Sequence, residues 1–307
     1  MNSEKCIYTA TVCEKDCCTG CMACVDICPK NAISIEDQLY AYDAVINQDI
    51  CIECNACHNV CPTNYQGKTI SPQEWYQGWA LNEQVREQGA SGGFAAEITR
   101  AFIQDGGIVC SCEFRDGRFG FGFAENDLES KKFAGSKYVK SNPVGIYKKI
   151  RGLLKNERKV LFIGLPCQVA ALKNFVGEHL DERLYTVDLI CHGTPSPDLL
   201  ELFLKRYKRS LKKIEEISFR KKFMFQLSEG EKSIVAPRVC DRYSIAFLQS
   251  LIYTENCYHC DYAKKERVSD LTLGDSWGSE LPTQEVEKGI SLALCQTEKG
   301  NELLKNE

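Results

Sequence analysis

Nineteen of the 307 residues are cysteines, and their spacing is the first chemistry the chain offers. Cys18-x-x-Cys21-x-x-Cys24-x-x-x-Cys28-Pro29 is followed by Cys51-x-x-Cys54-x-x-Cys57-x-x-x-Cys61-Pro62. Both runs have the spacing by which thiolates hold [4Fe–4S] clusters in two-cluster ferredoxins. Three thiolates two residues apart wrap a loop around one cuboidal cluster. The fourth, set before a proline, is aimed at the other. Cys18, Cys21, Cys24 and Cys61 are thereby expected on one cluster, and Cys51, Cys54, Cys57 and Cys28 on the second.

Three other uses of cysteine fit less well. Zinc takes four ligands from paired C-x-x-C units, and each run supplies more than that. Cys54-Asn55-Ala56-Cys57-His58 matches the c-type haem attachment pattern, but both cysteines already belong to the octet. A disulfide framework needs an oxidising compartment, and an odd cysteine count without a secretion signal points to metal ligation. Met1-Asn2-Ser3-Glu4-Lys5-Cys6 lacks the basic-then-apolar start of a signal peptide. Cys6 and Cys13 fall outside the octet and read as plain buried thiols; Cys17 is out of phase with the repeat.

The elements that must position these sulfurs come next. The length suits two or three domains, and 44% apolar residues suit a folded chain. No run approaches the roughly eighteen apolar residues of a membrane span, so a soluble, cytoplasmic protein is expected, with thiol chemistry suited to an anaerobe or a reduced cytosol. Residues 1–66 hold nine acids against three bases, whereas the whole chain is only −4. An acidic cluster module suits a basic redox partner, and ordinary solvation accounts for it equally well. The basic run Lys205 to Lys213 reads as the polar end of a helix, not a nucleic-acid site.

Ala32–Ile35 and Ala44–Ile46 read as short strands of a small first domain, residues 1–66, with a linker over 67–78. Gly89-Ala90-Ser91-Gly92-Gly93 leads into a helical pattern and suits a phosphate as well as it suits a simple turn. Gly107–Cys112 reads as a strand with Cys110 and Cys112 on one face. Val160–Gly164 reads as a strand turning at Leu165-Pro166-Cys167 into the helix 168–175. Leu184–Ile190 is a second strand, turning at Cys191-His192-Gly193 into a helix from about Pro197. This is β-α-β winding of a parallel sheet, and Cys167 and Cys191 fall beyond the carboxyl ends of its strands, where such sheets bind ligands. Both are expected at helix starts, where the dipole stabilises a thiolate. With Cys257-x-x-Cys260 they are candidates for a third [4Fe–4S] cluster, or else small turn residues and unpaired thiols. His192 reads as a turn-stabilising residue or a proton relay.

Several segments in order resemble one family: Ser91-Gly92-Gly93, Gly135-Ser136-Lys137-Tyr138-Val139, Gly164-Leu165-Pro166-Cys167-Gln168, Asp188 to Gly193, Cys257-x-x-Cys260 and Ser269 to Gly278. They resemble the coenzyme F-420 hydrogenase/dehydrogenase beta-subunit family in its form with an N-terminal two-cluster ferredoxin domain. The resemblance implies an α+β and α/β architecture: a ferredoxin-like domain, then a flavin and iron–sulfur region over 79–150 and 151–307. It implies FAD, with Ser91, Gly92, Gly93, Ser136, Lys137 and Tyr138 as candidate contacts. It also implies a third [4Fe–4S] cluster on Cys167, Cys191, Cys257 and Cys260.

The activity implied is that of an FAD- and [4Fe–4S]-dependent oxidoreductase, acting on an F-420-type deazaflavin or an organic acceptor reduced with ferredoxin electrons. The alternative is an electron-transfer subunit without a substrate of its own. Expected partners are a ferredoxin-like carrier or a partner redox subunit, and a small-molecule substrate, with no nucleic acid or membrane. Relatives are expected to continue beyond Leu292 for longer than this chain, so a truncated end is expected. No further paired C-x-x-C sets of the nickel-site kind remain, so hydrogen splitting is not expected of it.

Overall fold

The computed structural model describes residues 10–236 and 239–305. Cys6 lies outside them. The cysteine-rich head contains helix α1 (Ala23–Ile27), strands β1 (Ile33–Asp37) and β2 (Tyr42–Ile46), and helix α2 (Ala56–Val60). The strands pair antiparallel, Ile35 opposite Ala44, and bury Ile33, Ala44 and Ile46 against the cysteine loops. Period-two alternation produces that one-sided burial.

The rest of the chain is a mixed α/β body. In order come β3 (Glu74–Gly78), α3 (Glu83–Gln88), α4 (Phe94–Gln104), β4 (Ile108–Arg115), β5 (Arg118–Ala124), α5 (Asp127–Ser130) and α6 (Ile146–Lys155). Next are β6 (Val160–Gly164), α7 (Pro166–Val176), β7 (Leu184–Leu189) and α8 (Pro197–Lys205). Then follow β8 (Ile217–Lys221), β9 (Met224–Glu229), β10 (Lys232–Ser233), α9 (Arg242–Leu248), β11 (Leu271–Asp275), α10 (Thr283–Glu287), β12 (Ser291–Cys295) and α11 (Glu298–Lys305).

Seven strands form the central sheet in the order β3-β12-β11-β7-β6-β4-β5. Its middle is parallel, with β4, β6, β7 and β11 side by side, and the outer strands run antiparallel. β6 is buried at every residue, as a central parallel strand covered on both faces must be. Strands β8, β9 and β10 make a separate antiparallel sheet.

Two local expectations are corrected. Residues 74–78, within the stretch read as a linker, form β3. Trp75 and Tyr76 favour extended backbone, and the strand pairs with β12, Tyr76 opposite Ala293. Cys191 does not sit at a helix start: β7 ends at Leu189 and α8 begins only at Pro197. Ser196 caps that helix, accepting from the Asp198 amide. Cys167 does sit in the first turn of α7, after Pro166. There the Leu165 amide donates to Gln168 Oε1 at 3.0 Å, fixing the turn.

The head is not a separate bead. Cys21, Ala23 and Val60 belong to the same buried cluster as Ile150, Phe162 and Leu172 of the body. Each of those three large side chains contributes about 1.5–3 kcal/mol on burial. Polar bonds pin the same boundary: the Gly145 amide donates to Asp26 Oδ1 at 2.7 Å and Asn174 Nδ2 to the Tyr65 carbonyl at 2.8 Å.

Gly92 stands where the turn before α4 crosses β3 and β12. A Cβ there would come within 2.6 Å of both the Gly78 oxygen and the Ser291 nitrogen. Both are backbone atoms and neither can swing aside. Gly92→Ala is expected to lose about 1–3 kcal/mol by overpacking, read as a lowered denaturant midpoint with unchanged slope.

Candidate metal centres and cofactor cavity

The two cysteine runs fold alike. Gly20 and Glu53 have φ of 69° and 55°, and Met22 and Asn55 have φ of 62° and 58°. In each loop the amide two residues after the first cysteine donates to its sulfur at 3.4 Å, Gly20 to Cys18 and Glu53 to Cys51. The Ala32 amide donates to Cys28 Sγ at 3.2 Å. Left-handed turns and amide-to-sulfur bonds suit a loop wrapped around an anionic group.

Sulfurs face common spaces as the spacing requires. One cavity is lined by Cys28, Cys51, Cys54 and Cys57 together, so the cysteine preceding Pro29 does reach across to the other run. In the other half Cys24 lies within the fields of Cys21, Cys18 and Cys61, and of Cys57 from the second run. Among the described residues no group of three or more His, Cys, Asp or Glu side chains converges on the position of a single ion. A cuboidal cluster places its thiolates at separate corners, so the fit rests on which sulfurs share a space.

Cys13, read as a plain buried thiol, bridges Cys18 and Cys61. The nearness of these sulfurs pushes the Cys13 thiol far up and, chiefly through Cys13, holds Cys61 down to about 6.

Cys167, Cys191, Cys257 and Cys260 are also neighbours. The Cys167 thiol is pushed well up, chiefly by burial and further by Cys191, Cys21 and Cys260. Cys191 rises to about 12, again chiefly by burial and further by Cys257 and Cys260. At Cys167, burial therefore outweighs the helix dipole expected to favour the thiolate. Cys21, one of the head's own octet, is the sulfur that meets this second group.

The Cys257–Cys260 segment is tied to the head at both ends. The Glu255 amide donates to the Tyr40 carbonyl at 2.7 Å, and the Tyr262 hydroxyl to the Pro62 carbonyl at 2.9 Å. His192 has no hydrogen bond or ion pair among the described residues.

A separate cavity opens where the end of β8 meets the end of β11. Ala90, Ser91, Arg220, Lys222, Phe223, Asp275 and Trp277 are among its lining residues. Arg220 is buried and pairs with both Asp275 oxygens at 2.7 and 3.0 Å. It also donates to the Ala90 carbonyl at 2.6 Å and the Tyr138 hydroxyl at 3.1 Å, while its Nε lacks a partner. Lys222 donates to the carbonyls of Arg86, Gly89 and Ser91 and so stiffens the Gly-rich turn. Burial, with Arg86 and Arg220 nearby, lowers it to about 8.

The candidate flavin residues divide. Ser91 lines the cavity, Tyr138 reaches it through Arg220, and the Ser136 side chain bonds Tyr138. Gly92 and Gly93 shape the turn. Lys137 points away, donating to the Phe133 and Ala134 carbonyls at 2.7 and 2.9 Å. Arg220 and Lys222 were missed; their signal is the run of three cations Arg220-Lys221-Lys222 where β8 ends.

Residues 18–65 match the family model "4Fe-4S dicluster domain". Residues 157–307 match the family model for the C-terminal part of the beta subunit of coenzyme F420 hydrogenase/dehydrogenase. The chain thus joins a dicluster domain to the C-terminal domain of that family. A chain in a solved structure of the F420-reducing [NiFe] hydrogenase complex from Methanosarcina barkeri shares its fold, at TM-score 0.52 and 16% identity. The likeness covers 76% of this chain and 78% of that one. No curated protein matches significantly.

Asp188, in β7, is fully buried, with the Thr272 and Ser269 hydroxyls beside its carboxylate. Burial raises it to about 6 from 3.8, and Arg267 with the Thr272 and Ser269 hydroxyls offsets only part of that. A raised acid costs nothing below the lower value and its full penalty above the higher one. Stability is therefore lost as pH rises, by about 3 kcal/mol in all and about 1 kcal/mol between pH 5 and 7. Asp188→Asn is expected to flatten that loss, measured by anaerobic denaturant unfolding at the two pH values.

Proposed function

We propose that the chain is an iron–sulfur flavoprotein oxidoreductase that exchanges reducing equivalents with a deazaflavin of the F-420 type or with a small organic acceptor. The observation that carries the reading is the position of Cys167. Cys167 and Cys260 pack against the buried cluster that contains Cys21 of the dicluster domain, and Cys167 lies within the fields of Cys191, Cys21 and Cys260. Two sets of sulfur ligands thus adjoin across one buried boundary.

The ligand sets in this reading are Cys18, Cys21, Cys24 and Cys61; Cys28, Cys51, Cys54 and Cys57, whose common cavity supports the second set; and Cys167, Cys191, Cys257 and Cys260. When bound, such clusters supply one-electron transfer and a flavin pairs electrons into a hydride. The chain's own residues bind and orient. The Arg220 guanidinium, locked by Asp275, presents fixed positive charge to an anionic group in the cavity. Phe223 and Trp277, edge to face at 5.4 Å, form its exposed apolar rim. Lys222 has its donors committed to carbonyls, so it orders the turn and is not a proton donor.

Anaerobic purification tests this. The expected result is about twelve irons per chain, four for each cluster, with a flavin absorbance that bleaches on reduction. Replacing Cys257 and Cys260 together by Ser is expected to remove about four irons and leave the flavin. Arg220→Met is expected to lose flavin and keep iron. Iron near eight would sink the third site. Iron without flavin would favour a relay subunit acting for a separate catalytic chain.

A further inference from the structure

One wall of the cavity beside Arg220 is a loop. β11 and β12 pair antiparallel, Asp275 opposite Ser291, and the Ser276 amide donates to the Ile290 carbonyl at 2.9 Å. Residues 276–290 are therefore the loop of a long hairpin. Trp277, Gly278, Val286 and Gly289 from it line the cavity. Every residue from 276 to 288, α10 included, is exposed or half-buried. A segment with so little apolar burial opens at low cost.

Polar bonds hold it in place. At the outgoing end Gln77 of β3 accepts from the Ser276 and Ser279 hydroxyls at 3.1 and 2.9 Å. At the returning end Arg86 grips it. The guanidinium pairs with the Glu285 carboxylate at 2.5 Å and donates to the carbonyls of Glu285 and Gly289 at 2.8 and 3.1 Å. Arg86 is 6% exposed and lies 4.3 Å from the centre of the Trp79 ring, so it is itself fixed. Its carbonyl accepts from Lys222, a lining residue, which joins the grip to the cavity's other wall. Gly278, with φ of 72° and open space where a Cβ would stand, gives the outgoing end a hinge. Next to it Trp277 meets Phe223 of the far rim edge to face.

We propose that the β11–β12 loop is the gate of this cavity and that the Arg86–Glu285 pair is the clasp that holds it shut. This rests on the reading above that the cavity takes a flavin. Neither Arg86 nor Glu285 is among the residues that line the cavity. Both are positioning residues, acting on the cavity's contents through the loop. A clasp and a contact differ in kinetics. Losing a contact speeds release alone. Losing a clasp raises the open population and speeds entry and release together, so the Kd changes less than either rate.

The test is stopped-flow mixing of FAD with the flavin-stripped, iron-loaded full chain, and release of bound FAD on dilution. Both are run without oxygen and read by flavin fluorescence. Glu285→Ala is expected to speed binding and release about tenfold each, as for the loss of one charge-assisted hydrogen bond, with iron content unchanged. Gln77→Ala is expected to move both rates the same way, and is the second variant should Glu285→Ala not fold. Lys288→Ala removes only the 3.7 Å pair with Glu285, and is expected to stay within about twofold of the parent. Faster release with unmoved entry, or two unmoved rates, would overturn the inference. Hydrogen exchange separates it from the reading it rests on. Amides of residues 277–288 are expected to exchange faster in Glu285→Ala whether or not FAD binds. A parent that takes up no FAD overturns the cavity's reading; unmoved exchange overturns the clasp.

Discussion

Sulfur anions repel one another, and burial makes the repulsion worse. This chain nevertheless packs Cys21, Cys24, Cys167 and Cys260 along one boundary, where burial and neighbouring sulfurs push each thiol up. The arrangement is unfavourable without compensating positive charge. The surrounding structure supplies some: left-handed turns that aim backbone amides at sulfur, and the buried Lys140 ammonium on the Thr19 carbonyl of the first loop. Apolar packing alone would have separated the sulfurs.

The architecture follows from that constraint. Parallel strands β6 and β7 deliver Cys167 and Cys191 at the same edge of the sheet. Cys257 and Cys260 arrive from a loop with no strand to hold it, and the head does so instead, through Tyr40 and Pro62. The dependence runs both ways, because the head's helices rest on α6 and α7 and share their core. Asp270 shows how the sheet is fixed beneath: its Oδ2 accepts from the Thr186 amide and hydroxyl at 2.8 and 2.6 Å, tying β7 to the start of β11.

What was legible in the sequence is what local spacing encodes. The crossing of Cys28 to the second run was readable because the Cys-Pro step fixes a direction. β6 and β7 were readable from continuous apolar runs, and α7 from Pro166 followed by Gln168. The rest depends on distant pairing. Residues 74–78 became a strand only because β12 lies alongside, more than 200 residues later. Arg220, Asp275 and Tyr138 meet from three separate segments, and no short motif holds them together. Lys140 stood one residue past a motif read for its neighbours, and its burial cannot be seen without the head folded over it. Lys137, the lysine that the motif did contain, is turned away to the Phe133 and Ala134 carbonyls.

The repeat in the head shows how environment separates copies that backbone geometry makes alike. Cys18, Cys21, Cys24 and Cys61 are each 6–7% exposed, closed in by the body. In the other copy Cys54 is exposed, and beside it Ile50 and Ile52 are 46% and 53% exposed. Low-dielectric surroundings disfavour added negative charge, and open ones screen it. Burial alone would therefore make the inner site the harder one to reduce and leave electrons stranded at the rim. The buried Lys140 ammonium, on the Thr19 carbonyl at 2.9 Å, sets a positive charge on the inner side. Duplication supplied two like sulfur loops; docking made their surroundings unequal, and the opposing effects of burial and of a nearby cation both fall on the inner copy.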